Sequence, residues 1–391
     1  MKFSDRANAI SPFLAMEYGE KASALEQAGH HVVRLNLGEP DFGAPKDVSE
    51  AMLNVVSKGD LPYTSALGLP ALRQAVANFY FSQHGVEIDA NRVIITSGAS
   101  AALLLISAAL INPGDNVILG DPSYPCNRRF ITSFGGDVSL VPTPAEQHFQ
   151  LTARDVADNW RDTTKGVLIA SPANPTGTCI SETEMSAISA FCERKNAWRI
   201  VDEIYLNLAL SEQSKVNTVL ASDDKAIVIN SFSKYFGMTG WRLGWCVVPP
   251  EMVAPMEKLV QNLYICPSTP AQYAALACFT PNSLTECEAR RATLINRKNY
   301  VLDALSRIDL PVEVHPDGAF YVYINIAKTG LTAIEFCDTL LAKHYVAMTP
   351  GNDFGEHRAD EYVRLSFATD DQQLKEGLNR IGEFVKSIYP D

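Results

Sequence analysis

Residues 228–247 read VINSFSKYFGMTGWRLGWCV, and no other stretch restricts the chain so tightly. The β-branched run at its start is a strand pattern. The residues after that run cannot continue as one regular element, because glycines recur at 237, 240 and 244, and glycine lets backbone come close to a ligand. Lys234 therefore stands where an apolar strand gives way to a glycine-rich segment. Ser231, Ser233 and Arg242 flank it; hydroxyls and a guanidinium are groups that bind phosphate. A lysine held among aromatics has its ammonium disfavoured, so its pKa falls and a neutral amine becomes available to attack carbonyls. Taken alone, Lys234 would read as a surface lysine in a loop. The two serines and the arginine argue otherwise.

The chain has 391 residues, too many for one small core, so two domains are expected. Hydrophobic residues make up 47% and charged residues 20%, ordinary for a globular protein. No apolar run approaches the ~20 residues that span a bilayer, and the start, MKFSDRANAI, has no apolar core of a secretory leader. The eight cysteines include no C-x-x-C pair, which argues against a zinc site and a disulfide scaffold. They read as reduced thiols of a cytoplasmic protein. A formal net charge of −12 argues against nucleic-acid binding. The absence of G-x-G-x-x-G weakens a nicotinamide-enzyme reading.

Other strand-like runs also end in polar or glycine-bearing loops. RVIITSGASAALLLISAALI reads as strand, glycine turn and helix, and a helix N-terminus suits an anion; Ala99 and Ser100 form the turn, with Ser100 also a candidate N-cap. NVILGDPSYP puts Tyr124 just past a strand, GVLIASPANPTGT puts Asn174 in a turn-forming context, and WRIVDEIY closes on Asp202. A residue there points out of the carboxyl end of a sheet, where open α/β sheets bind ligands. HVVRLNLGEPDFGAP reads as a short strand and a turn through Gly38, and GAFYVYINI and YVRLSFAT as alternating strands.

Taken together, these motifs resemble the class I/II aminotransferases, the aspartate-aminotransferase-like enzymes of fold type I that use pyridoxal 5'-phosphate. The pattern S-x-S-K with G-x-R-x-G matches at Ser231, Ser233, Lys234, Gly240, Arg242 and Gly244. N-P-T-G (Asn174), D-E-x-Y (Asp202, Tyr205) and S-x-S-K come in the family's order within about sixty residues. The resemblance covers about residues 10 to 385.

The resemblance implies a specific set of roles. Lys234 holds the cofactor as a Schiff base and, when freed, moves a proton. Asp202 keeps the pyridine nitrogen protonated so that the ring accepts electrons. Tyr205 and Asn174 bond the ring oxygen, and Tyr124 stacks on the ring, where it would otherwise be a core tyrosine. Ala99, Ser100, Ser231, Ser233 and Arg242 hold the phosphate. Tyr63, otherwise a packing aromatic, reaches the phosphate of a partner subunit. Gly38 and Arg364 meet the substrate carboxylate, Arg364 through two parallel hydrogen bonds; without the family it would read as a salt-bridged sheet arginine. Glu203 reads as structural. Pro350, Gly351, Phe354 and Gly355 form a loop placed near the pocket. Arg128 and Arg129 stand as candidates for a second substrate carboxylate, with solvated arginines as the plainer reading.

The implied fold is α/β: a large domain over residues 43–280 with a mostly parallel, seven-stranded-type sheet, and a smaller α+β domain from 1–42 and 281–391, in a homodimer with shared active sites. The implied activity is transfer of an amino group from an L-amino acid to a 2-oxo acid, with no metal. A carbon–sulfur β-lyase or decarboxylase of the same fold is the nearest alternative, because fold does not set reaction. A non-catalytic cofactor-binding regulator is a more distant one. The amino acid itself stays open.

Overall fold

The computed structural model describes residues 1–210 and 216–388. Its strands, in chain order, are β1 (Val33–Arg34), β2 (Val93–Thr96), β3 (Asn116–Asp121), β4 (Asp137–Pro142), β5 (Thr164–Ala170), β6 (Trp198–Asp202), β7 (Ile227–Ser231), β8 (Gly244–Val247), β9 (Tyr321–Asn325), β10 (Val346–Ala347), β11 (Thr349–Pro350) and β12 (Tyr362–Ser366). Seven of them form one sheet in the order β2-β8-β7-β6-β5-β3-β4. Its neighbours are parallel except at β8, which runs antiparallel to both β2 and β7.

The near-continuous apolar runs of this sheet arise because it is covered on both faces. Side chains alternate from one face to the other. Val93 and Ile95, Val167 and Ile169, Val201 and Val228 pack into one core, while Ile94, Leu168, Ile200, Ile227 and Ile229 pack into a second. Because β8 reverses, the carboxyl ends of β2, β3, β5, β6 and β7 share one edge, and the loop entering β8 returns to it.

A second sheet has the order β11-β12-β9, all antiparallel, and β1 pairs with β10 in parallel. The chain's beginning is thus joined to its last quarter. The sequence suggests that β9 and β12 alternate buried and exposed residues. Instead both are buried throughout, apart from half-buried Asn325. Val322, Ile324 and Leu365 join the main core with Phe336 and Phe384, while Tyr323 and Tyr362 pack with Phe149 and Phe354. No face of this pair is left for water.

Among the helices are Lys46–Ser57, Glu182–Arg194 and Pro281–Arg307. Two helices fall where sequence suggests only loop. Pro125–Thr132 starts at a proline in the first turn, where no N–H is needed. Ala153–Asp158 is started by a capping box between Thr152 and Asp155.

Candidate active site

The shared edge of the large sheet opens onto a cavity of about 250 Å³. Of the thirteen residues that the resemblance places on cofactor or substrate, twelve line it: Gly38, Ala99, Ser100, Tyr124, Asn174, Asp202, Tyr205, Ser231, Ser233, Lys234, Arg242 and Arg364. Tyr63 does not; it is 77% exposed.

Lys234 sits just past β7, with its amine donating to the Gly38 carbonyl and lying 5.8 Å from the Tyr205 ring centre and 5.9 Å from that of Phe320. Burial pulls its pKa down to about 8, and the positive charges of Arg364 and Arg242 push the same way against Glu39 and Asp202. Asp202, the last residue of β6, is pushed up to about 6 by burial, opposed by the Ile204 N–H at 3.2 Å and the charge of Lys234. The next carboxylate faces elsewhere. Glu203 accepts from the Thr218 hydroxyl at 2.8 Å and the Val219 N–H at 2.7 Å, and burial pushes it up to about 8. The Tyr205 hydroxyl lies 2.7 Å from that of Tyr321.

At one end of the cavity the helix Ala99–Leu110 begins. Its cap is Gly98, at φ +86°, so Ser100 lies inside the first turn and is not the N-cap. A Cβ on Gly98 would stand 2.7 Å from a nitrogen of the Arg242 guanidinium; the glycine is what lets that cation approach the helix N-terminus. Gly244 packs as tightly, since its Cβ would fall 2.9 Å from the Ala99 nitrogen. Arg242 is in the left-handed conformation and donates to the Thr239 carbonyl at 2.9 Å. The Ser231 hydroxyl accepts from the Ser233 N–H at 3.0 Å.

Arg364 occupies the other end, 2% exposed. It donates to the Asn174 side-chain oxygen at 2.8 Å and to the Asn36 carbonyl at 2.7 Å. Its guanidinium carbon lies 4.5 Å from the Tyr321 ring centre and 4.8 Å from that of Phe354, so the charge is held between two aromatic faces. Its Nε is buried with no hydrogen-bond partner. A buried charged donor without an acceptor is costly; Arg128, outside the lining, has a buried Nε without a partner as well. Pro350, Gly351, Phe354 and Gly355 do not line the cavity; Phe354 backs Arg364 instead, and Gly355 is pressed against the Asp121 carboxylate. Arg128 and Arg129 also lie outside the lining.

Sequence reasoning missed Phe13, Met16, Asn36, Leu37 and Tyr321, all in the lining. Asn36 and Leu37 adjoin Gly38 in a run read only for its glycine, and Phe13, Met16 and Tyr321 stand in no motif singled out from sequence. Among the described residues no group of His, Cys, Asp and Glu could hold a metal ion, and no helix is long and apolar enough to cross a membrane.

A lysine with a depressed pKa just past a strand, a buried carboxylate and a buried arginine thus share one cavity. Residues 30–381 match the family model of aminotransferase class I and II. The chain belongs to that family and is an aminotransferase; the family uses pyridoxal phosphate. It is 36% identical to the valine–pyruvate aminotransferase of Mycobacterium tuberculosis, over 97% of each chain. It is 33% identical to the aspartate aminotransferase of Thermotoga maritima, over 98% of this chain and 99% of that one. Among solved structures, an aminotransferase from Mycobacterium tuberculosis superposes with a TM-score of 0.95 at 36% identity, over 99% of this chain and all of the other.

Proposed function

We propose that this cavity holds pyridoxal 5'-phosphate on Lys234 and moves amino groups between L-amino acids and 2-oxo acids. The observation that carries the reading is a lysine amine with its pKa drawn down to about 8, shared in one cavity with Asp202 and with an arginine whose buried Nε lacks an acceptor. The residues fit the cofactor. Gly98 leaves open a cradle that a Cβ would fill, with the Arg242 cation, the helix N-terminus and the hydroxyls of Ser100, Ser231 and Ser233 around it; this donor set suits a phosphate dianion. Asp202 suits a protonated pyridine nitrogen. Asn174 gives its oxygen to Arg364, which leaves its amide N–H groups for the ring oxygen beside Tyr205. Tyr124 stacks on the ring.

When bound, the cofactor supplies an aldehyde that takes the amino group and a ring that accepts the electron pair released at the substrate α-carbon. The protein does the rest. Arg364 and the Gly38 backbone hold the α-carboxylate. Lys234, freed as a neutral amine, moves the α-proton as general base and acid. The walls exclude water. The relatives' names, one for valine and pyruvate and another for aspartate, leave the side chain open.

The same reading gives a homodimer, supported by exposed Leu61, Tyr63 and Tyr273 around the packed segments 62–64 and 269–272; Tyr63 is the residue that would complete the partner's site. Eight free thiols support a reducing, cytoplasmic setting. The division into 43–280 and 1–42 with 281–391 is supported by the large sheet lying within 93–247 and the β9–β12 sheet within 321–366; residues 211–215 and 389–391 of those ranges lie outside the described residues.

The test is an absorbance spectrum with added pyridoxal phosphate. A visible band that borohydride fixes onto Lys234, that amino acids bleach and that 2-oxo acids restore, is the expected result. No band sinks the cofactor assignment.

A further inference from the structure

Arg364 is pinned at its edges and covered on its faces. At the edges the Asn174 side chain and the Asn36 carbonyl take its N–H groups. Asn36 is held in turn: its amide donates at 3.0 Å to the Ala15 carbonyl, in the arm that walls the cavity through Phe13, Ala15 and Met16. Asp353 ties that arm down, its carboxylate accepting from the N–H groups of Leu14 at 2.9 Å and Ala15 at 3.1 Å. On the faces lie Phe354 and Tyr321. The Phe354 side chain has no polar atom to offer; that of Tyr321 does.

Tyr321 is the first residue of β9. Its hydroxyl lies 2.7 Å from that of Tyr205, the group given to the cofactor's ring oxygen. It also stands against the Gly38 backbone, since a Cβ on that glycine would fall 2.8 Å from the Tyr321 oxygen. One side chain thus touches the carboxylate arginine, the backbone beside it and the ring-oxygen tyrosine. Tyr205 and Tyr321 are 2% and 0% exposed, so this chain alone buries the pair.

Proton counting fixes the direction of the bond between them. A phenol carries one proton and can also accept. When Tyr205 gives its proton to the ring oxygen, it meets Tyr321 as an acceptor, and Tyr321 is the donor. Burial raises the pKa of the Tyr321 hydroxyl, and the Arg364 charge over its ring opposes that rise; a more acidic hydroxyl is the better donor. A hydroxyl that accepts one hydrogen bond donates a stronger one, because bonds in a chain polarise one another.

Resting on the transaminase reading, we propose that Tyr321 is a positioning residue with two separable parts. Its hydroxyl aims the Tyr205 proton at the ring oxygen, and its ring holds the Arg364 guanidinium in the plane that receives the substrate carboxylate.

The test follows the pH midpoint of the visible band of the holoenzyme, with inhibition by propionate as the probe of the carboxylate clamp. Tyr321→Phe keeps the ring and loses the hydroxyl. It should raise the midpoint by about 0.5 to 1 unit, because a ring oxygen with a weaker donor keeps more negative charge and holds nearby protons more tightly. It should leave the propionate inhibition constant within about threefold. Tyr321→Leu removes both parts, and should also weaken propionate by ~10-fold or more. In a Tyr205→Phe background, Tyr321→Phe should move the midpoint no further, since the hydroxyl acts through Tyr205. The charges felt at Lys234, those of Glu39, Arg364, Arg242 and Asp202, are the same in every variant. A midpoint within about 0.2 unit of wild type in Tyr321→Phe, or an equal shift with and without the Tyr205 hydroxyl, makes Tyr321 a core residue and overturns the inference while the transaminase reading stands. Propionate held as tightly by Tyr321→Leu as by wild type overturns the part given to the ring. A wild-type protein with no visible band loses both the inference and the reading.

Discussion

The Arg242 end of the cavity is assembled from residues 98–100, 231–233 and 242, at the ends of β2, β7 and β8, which are neighbours in one sheet. The Arg364 end draws on residues 13–16, 36, 174, 321, 353 and 364, from several separate regions of the chain. The first is a set of backbone groups and hydroxyls around an exposed arginine. The second is one buried arginine that donates to the Asn174 side chain and the Asn36 carbonyl between two aromatic rings. Redundant donors at an exposed site share the energy, and losing one weakens binding by degrees. A single buried charge offers no substitute, and losing it leaves its partners unpaired.

The largest test lies between the two ends. Lys234→Ala should abolish turnover, by more than ~10⁴-fold in kcat; residual transamination within about 100-fold of wild type would remove Lys234 from the chemistry. Next in size is Arg364→Ala, expected to lower kcat/KM for amino acids by ~10²–10³-fold with cofactor affinity nearly unchanged. Arg242→Ala should do the reverse, weakening cofactor affinity by ~10–10²-fold while the loaded enzyme keeps its KM. If either change moves both quantities together, the two ends are one site and the comparison fails.

Two carboxylates in sequence sharpen the picture. Asp202→Asn should cost about 10²-fold or more in kcat, whereas Glu203→Gln should leave kcat within about threefold, because Glu203 bonds Thr218 and Val219 and does not line the cavity. Glu203 should show itself in stability instead. Folded, it keeps its proton up to about 8, against 4.5 for an ordinary glutamate. Its contribution is therefore complete below pH 4.5 and is lost as pH rises through 8. Urea midpoints at about pH 5 and about pH 8 should differ less in Glu203→Gln than in wild type. The smallest effect is kinetic: uptake of pyridoxal phosphate by the apoprotein should quicken as pH rises through about 8, where the Lys234 amine becomes neutral, and level off above. A rate falling over that range would mean another group limits the step.

Legibility in the sequence divides along the same line. Asp202 is readable because a parallel strand buried on both faces is a continuous apolar run, and the polar residue that closes it marks the edge where ligands sit; Ser231 and Lys234 are readable from the S-x-S-K pattern that follows such a run. Gly98 and Gly244 are readable because close approach leaves no other residue possible. Asn36, Tyr321 and Asp353 are not. Their meaning depends on partners such as Arg364, 328 positions from Asn36, and Leu14, 339 positions from Asp353, and no local pattern encodes such a pairing. Phe354 sits in a readable motif, yet its role is to back Arg364 and not to line the cavity. The capping box at Thr152 is written in the sequence too, but the polar residues around it look like loop and hide it.

The joining of Asp353 to Leu14 and Ala15 has a consequence for how the protein is made. Synthesis runs from the N-terminus, and a domain's contacts form only once all their members have emerged. Every residue of the Arg242 end exists once residue 244 has been added. The arm, made at the outset, waits for residue 353 to be fastened. A chain cut short in that interval carries Lys234 and the whole Arg242 end with one wall of the cavity still untied, so the order of translation completes the Arg364 end last.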